Sequence, residues 1–175
     1  EKVARIAHGF NMVAIGYDPY VPMEKFRRAG VVPVGLESLL READVVTLHI
    51  PISDETKHLI GADGLKLMKK TAVLVNAARG ACVDESALYE ALKEGRIAGA
   101  ALDAFQVEPV PLDNPLLTLD SVIVSPHMAG VTHEVRPPIA DMACGDIARF
   151  LNGERPRFIG NREVLAVRAR LGLQP

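Results

Sequence analysis

Tryptophan is absent from the 175 residues and cysteine is scarce, with only Cys82 and Cys144. The first absence excludes nothing. The second leaves neither a metal-ligand spacing nor a disulfide framework, which points to a reducing cytoplasm. No apolar run approaches the roughly 18 residues of a membrane span. The opening Glu1-Lys2-Val3-Ala4-Arg5 is not followed by the apolar core of a secretory signal. Neither sign of charge is in excess: 20 Lys and Arg stand against 22 Asp and Glu, a net charge of −2. Nothing there points to nucleic acid or an anionic membrane as a partner. There is no internal repeat and no low-complexity tract. What is present is a chain of 49% hydrophobic residues, long enough to bury a sizeable core as one domain.

Short apolar runs alternate with segments of helical period. Val3, Ile6, Ala7 and Phe10 recur at helical spacing, so the chain opens inside an amphipathic helix with no capping residue ahead of it. Strands are expected at 12–16, 31–34, 45–50, 72–76, 97–102 and 121–125. The second belongs at an edge, because Pro33 has no donor for a ladder. Helices are expected at 22–29, closed by Gly30, at 37–43, and from Gly61 through Leu65, Met68 and Lys69. Another runs from its cap Asp84 to Gly95, with Leu88, Ala91 and Leu92 as apolar stripe. The last spans 132–151 and is disturbed by Pro137, Pro138 and Gly145, with Pro137 marking its first turn. Residues 105–115, with Pro109, Pro111 and Pro115, form a loop of fixed backbone. Beyond Asn152 there is little pattern apart from Val164, Leu165 and Val167.

Strand–helix alternation with short connections specifies a parallel sheet with helices on both faces. The continuous apolar run 72–76 fits a strand buried on both faces, and 45–50 reads as buried too. Ligands of such sheets bind outside the carboxyl ends of the strands. Asp18, Pro51, Arg79, Asp103 and His127 each follow a strand, so they are expected along one edge.

The residue types at that edge suggest chemistry. Asp18 can accept hydrogen bonds from ribose hydroxyls, or can simply start the turn before Pro19. Arg79 can hold a carboxylate through two parallel hydrogen bonds, or can be a surface arginine on a loop. His127 titrates near neutrality and can donate or accept a proton, and a nearby carboxylate orients such a ring and favours its charged form. Glu108 reaches it if the strands before the two residues are neighbours. Taken singly, each of these two also fits an ordinary loop residue. His49 reads as a packed or hydrogen-bonded histidine. Reaction at a 2-oxo acid needs a cation for the carboxylate, a proton donor for the carbonyl oxygen, and a group keeping that donor protonated. Arg79, His127 and Glu108 are of these types.

The segments Val75-Asn-Ala-Ala-Arg-Gly80, Gly99-Ala-Ala-Leu-Asp-Ala-Phe-Gln-Val-Glu-Pro109 and Ser125-Pro-His-Met-Ala-Gly130 resemble the NAD-dependent D-2-hydroxyacid dehydrogenases. That family includes phosphoglycerate, glyoxylate/hydroxypyruvate and D-lactate dehydrogenases. The resemblance covers residues 1 to about 153. It implies an α/β fold with a Rossmann-type doubly wound parallel sheet, and hydride transfer between NAD(H) and a small D-2-hydroxy acid. By the same resemblance Arg79 binds and orients the substrate, His127 is the acid/base, and Glu108 is its partner. Asp18 is implied as the ribose-binding acid. Ile50, Pro51, Ala77, Arg79, Asp103 and His127 are implied to line the cofactor, Asp103 near the nicotinamide carboxamide. Ala129 and Gly130 fall in the loop beside the nicotinamide. No metal is implied, and a homodimer is. Some relatives are corepressors that bind NAD, so a non-catalytic NAD-binding or scaffold module is the second reading.

One departure from the family pattern sets a structural expectation. The family's G-x-G-x-x-G turn comes just before the helix that this chain enters at Glu1. That turn and the strand before it are not among these residues, nor is most of the family's substrate domain. A partial NAD-binding domain is therefore expected over 1–153, with 154–175 returning toward the substrate domain. In a doubly wound sheet the first strand is central. The expectation is thus an open groove in the sheet centre, or upstream residues that fill it.

Overall fold

Among residues 1–170, the part that this computed structural model describes, six short strands run parallel, but in two sheets rather than one. β1 (Ile15–Gly16) pairs with β2 (Val32–Pro33). β3 (Val45–Leu48), β4 (Val73–Asn76), β5 (Gly99–Leu102) and β6 (Val122–Val124) form a four-stranded sheet in that order. Its register aligns Val46 with Leu74, Leu74 with Ala100, and Ala100 with Val122. Helices α1 (Lys2–Gly9), α2 (Met23–Ala29), α3 (Leu36–Glu42), α4 (Ala62–Leu67) and α5 (Glu85–Lys93) alternate with the strands. α6 (Arg136–Leu151) and α7 (Glu163–Arg170) follow. The last five residues of the expected tail, 171–175, lie outside the described residues. No helix among those described is long and apolar enough to cross a membrane.

The larger sheet owns the core. Ala72, Leu74, Cys82 and Leu88 have no exposed surface, and Leu40, Ile60, Leu65 and Leu116 are nearly as deep. α5 shows how local sequence builds this. The Asp84 carboxylate accepts the Ala87 N–H at 3.1 Å, Glu85 follows in the first turn, and Lys93 lies in the last. Leu88, Ala91 and Leu92 then form one buried stripe. α2 ends as expected on Gly30, whose φ of 66° is the left-handed conformation that glycine adopts without penalty.

β1 and β3 are not hydrogen-bonded to each other. Between them runs a groove of about 720 Å³ lined by Ile6, Phe10, Val13, Ile15 and Val45 among others. The groove accounts for several departures from expectation. α1 is helical as expected but buries no residue, so Val3, Ile6 and Phe10 stay exposed. β1 shrinks from 12–16 to two residues because nothing pairs with it on the groove side, and Met12 and Val13 are exposed. β3 is not buried on both faces: Val46 and Leu48 are buried, but Val45 and Thr47 are exposed and line the groove.

Other corrections are local. α4 stops at Leu67; Met68 turns extended and buries its side chain, and Lys69 lies beyond the helix, where it pairs with Asp44 at 2.8 Å. α6 starts at Arg136 rather than 132 and runs unbroken through Gly145. Pro137 and Pro138 fall in its first turn, where backbone N–H groups have no helical partner to lose. The tail carries a helix, α7, that its weak pattern did not announce.

Residues up to Met128 form one compact unit and those from Ala129 another. Within the second unit, the Asp146 carboxylate accepts the backbone N–H groups of Arg157 and Phe158, each at 2.8 Å. These bonds hold its carboxyl below the usual Asp range, the Arg157 N–H most. The Arg168 guanidinium lies 5.3 Å from the centre of the Phe150 ring.

Candidate active site

The four-stranded sheet ends in a row of polar residues, and backbone hydrogen bonds fix their order. The Asp103 N–H donates to the Asn76 carbonyl at 2.9 Å, and the His127 N–H donates to the Asp103 carbonyl at 2.9 Å. The ends of β4, β5 and β6 are thereby stitched side by side. Pro51, Arg79, Asp103 and His127 follow β3 to β6 and share this edge, as expected. Asp18 follows β1 in the smaller sheet and shares the groove lining with Pro51.

Arg79 is presented by a tight turn. The buried Asn76 side chain donates to the Arg79 carbonyl at 3.0 Å and accepts the Ala78 N–H at 3.1 Å. The Arg79 side chain is exposed, and its Nη1 donates to the Ala78 carbonyl at 2.8 Å. Ala77 is exposed in the same turn. The next residue, Gly80, presses against the loop that carries Glu108. A Cβ there would lie 1.9 Å from the carbonyl carbon of Phe105, so only glycine permits the approach.

His127 Nδ1 and Glu108 Oε2 are 2.8 Å apart. The other carboxylate oxygen of Glu108 accepts the Phe105 N–H at 3.0 Å. The Phe105 N–H first, and His127 second, hold the Glu108 carboxyl below the usual Glu range, with the Asp103 charge opposing. A depressed value means that this group's contribution to stability is whole above the ordinary Glu range. It is lost as pH falls through the folded value. The two side chains are 46% and 39% exposed, so a small solute can reach them. With Nδ1 engaged, Nε2 is the ring atom left for proton exchange. His127 has a φ of 55°, a left-handed conformation costing a non-glycine residue on the order of 1–3 kcal/mol. Strain of this kind, fixed by the backbone bonds to Asp103 and Ser125, gathers at functional positions.

Asp103 is buried, and its Oδ1 accepts the Ser125 hydroxyl at 2.5 Å and the Met128 N–H at 2.7 Å. On the groove side, Asp18 accepts the Tyr20 N–H at 2.9 Å, so it does start the turn, and it lines the groove together with Ile50 and Pro51. A carboxylate beside an apolar groove suits a ribose next to a flat base, so these residues fit a dinucleotide. Ala129 and Gly130 belong to the second unit. His49 is hydrogen-bonded to Thr47 at 3.2 Å, as its reading required. The sequence reading gave no role to Ser125, Asn76 or Glu85. The signal for the first two was there, since a polar residue ending an apolar strand sits at the ligand edge. Glu85 joins residues too distant in the chain to be paired by eye.

A parallel sheet with an acid, an arginine and a carboxylate–histidine pair at its strand ends defines a dinucleotide-binding α/β protein. The comparisons refine that class. Residues 1–129 match the family described as D-isomer specific 2-hydroxyacid dehydrogenase, NAD binding domain, and the chain belongs to this family. It is 48% identical over 166 residues to the glyoxylate reductase of Korarchaeum cryptofilum, covering 95% of this chain and 50% of the relative. It is 48% identical over 162 residues to the D-3-phosphoglycerate dehydrogenase of Methanocaldococcus jannaschii, covering 92% and 31%. Among solved structures, D-lactate dehydrogenase with NAD+ from Lactobacillus jensenii superposes with a TM-score of 0.83 at 32% identity, covering 92% of this chain and 52% of that one. The chain spans about half the length, or less, of the curated relatives it matches. The cofactor of the matched domain is NAD.

Proposed function

We propose that these residues belong to an NAD-dependent D-2-hydroxyacid dehydrogenase that reduces a small 2-oxo acid of the glyoxylate type. The observation that carries this is the 2.8 Å His127–Glu108 pair at the strand ends, with Arg79 on the neighbouring turn. Bound NADH supplies the hydride. Asp18, Ile50 and Pro51 would hold its adenosine side, and Ala77, Arg79, Asp103 and His127 its nicotinamide side. The Arg79 guanidinium would pair the two carboxylate oxygens of the acid in parallel. His127 would donate a proton from Nε2 to the carbonyl oxygen as negative charge builds there, and would take it back in oxidation. Glu108 would hold the ring in place and favour its charged form. The greater length of the relatives supports a division in which residues 1–153 are the dinucleotide side and 154–175 lead back to a substrate domain.

The test is NADH-dependent reduction of glyoxylate by the complete protein across pH. Wild type should turn over. In Glu108→Gln, reduction should fade at a lower pH, because the imidazolium has lost the charge that stabilised it and reduction needs the protonated ring. An unchanged profile would break the pair. NAD binding without turnover on any small 2-oxo acid would favour the non-catalytic module instead.

We further propose that the complete protein is a cytoplasmic homodimer. Val107 and Leu112, 61% and 97% exposed in the proline-rich loop, are the kind of apolar surface that a partner copy covers. Sedimentation at micromolar concentration should give twice the monomer mass, and a monomer there would reject the dimer.

A further inference from the structure

The loop that carries Glu108 is tied down from outside the site by one side chain. Glu85 opens α5 and is half-buried. Its Oε1 accepts the Gln106 backbone N–H at 2.5 Å, and its Oε2 accepts the Asn114 side-chain amide at 3.0 Å. Gln106 returns the tie, its side-chain amide donating to the Val83 carbonyl at 2.9 Å. Asn114 is itself anchored, accepting the Leu116 N–H at 3.0 Å through Oδ1. Consecutive backbone amides therefore serve two carboxylates: Phe105 N–H goes to Glu108, and Gln106 N–H goes to Glu85. The peptide between them is the one against which Gly80 is packed. It is clamped by Gly80 on one side and by Glu85 on the other.

We propose that Glu85 is a positioning residue for the proton-transfer pair, acting through the Phe105–Gln106 peptide on Glu108. It is hydrogen-bonded to neither Glu108 nor His127. It grips both ends of the proline-rich loop, at Gln106 and at Asn114, so that the Phe105 N–H meets Glu108 and Glu108 meets His127. Asp103 is the other carboxylate acting on Glu108, and it stays in place through its own bonds to Ser125 and Met128. This inference rests on the dehydrogenase reading above.

The experiment measures kcat, KM for glyoxylate and NADH, and the pH profile of reduction in the complete protein. It compares Glu85→Ala, Glu85→Gln, Glu108→Gln and the double variant Glu85→Ala/Glu108→Gln. A misplacement of about 1 Å at a reacting group costs on the order of 100-fold, and Glu85→Ala should lower kcat by roughly 10- to 100-fold. KM for NADH should hold, and reduction should fade at a lower pH, as it does in Glu108→Gln. Glu85→Gln keeps an acceptor for Gln106 but sets an amide against the Asn114 amide, so it should fall between wild type and Glu85→Ala. Should Glu85→Ala fail to fold, Glu85→Gln carries the same comparison. The double variant should match Glu108→Gln alone, because the losses run through one residue. Additive losses, or a Glu85→Ala profile like wild type while Glu108→Gln shifts, overturn the proposal and leave the dehydrogenase reading intact. If Glu108→Gln itself does not shift, the pair reading fails and this inference falls with it.

Discussion

His127→Ala in the complete protein should lose roughly 100- to 10,000-fold in kcat, the range for removing a general acid. The loss should be confined to the chemical step. The side chain is 46% exposed and packs into no core, and the backbone bonds that hold residue 127 belong to its N–H group. Thermal unfolding should therefore stay close to wild type. A loss below about tenfold, outside the range for a general acid, would remove His127 from the reaction.

Arg79→Lys should cost on the order of 100-fold in kcat/KM for the oxo acid, the penalty for substrate misplaced by about 1 Å. Lysine preserves the charge, so long-range attraction of an anionic substrate is unchanged. What it loses is the planar fork whose parallel N–H groups match a carboxylate. The turn should survive, since it is built by Asn76 through backbone groups that lysine also has. KM for the oxo acid should rise and kcat should fall together. Near-normal kcat/KM would mean that Arg79 is structural.

Much of this site was legible because it depends on local pattern and on one topological rule. α5 could be drawn from Asp84, Leu88, Ala91, Leu92 and Gly95, since capping and helical period act within a few residues. The placing of Arg79, Asp103 and His127 at one edge followed from parallel strands ending on the same side. The Glu108–His127 contact needed only that β5 and β6 be neighbours, and they are. What escaped depends on distant partners or on a missing neighbour. β1 has the apolar run of a longer strand but no strand beside it on the groove side. α1 has an apolar face with nothing to bury it. Glu85 and Gln106 are 21 residues apart, and no periodicity joins them. His127 shows nothing in its sequence context that would announce a positive φ.

The groove between the two sheets also divides the first unit by resilience. Phe26 is the only buried residue among residues 1–35, whereas the four-stranded sheet and its helices bury a continuous cluster from Leu40 to Leu116. Segments with few buried contacts open at low free energy, while a packed core opens only with the whole. With the groove unfilled, residues 1–35 should open at a lower free energy than β3 to β6. Asp18, the candidate ribose acid, rides on the yielding part. Arg79, Glu108 and His127 hang from the stiff one. The candidate ribose acid and the candidate proton-transfer groups thus stand on parts of the chain with very different shares of buried surface.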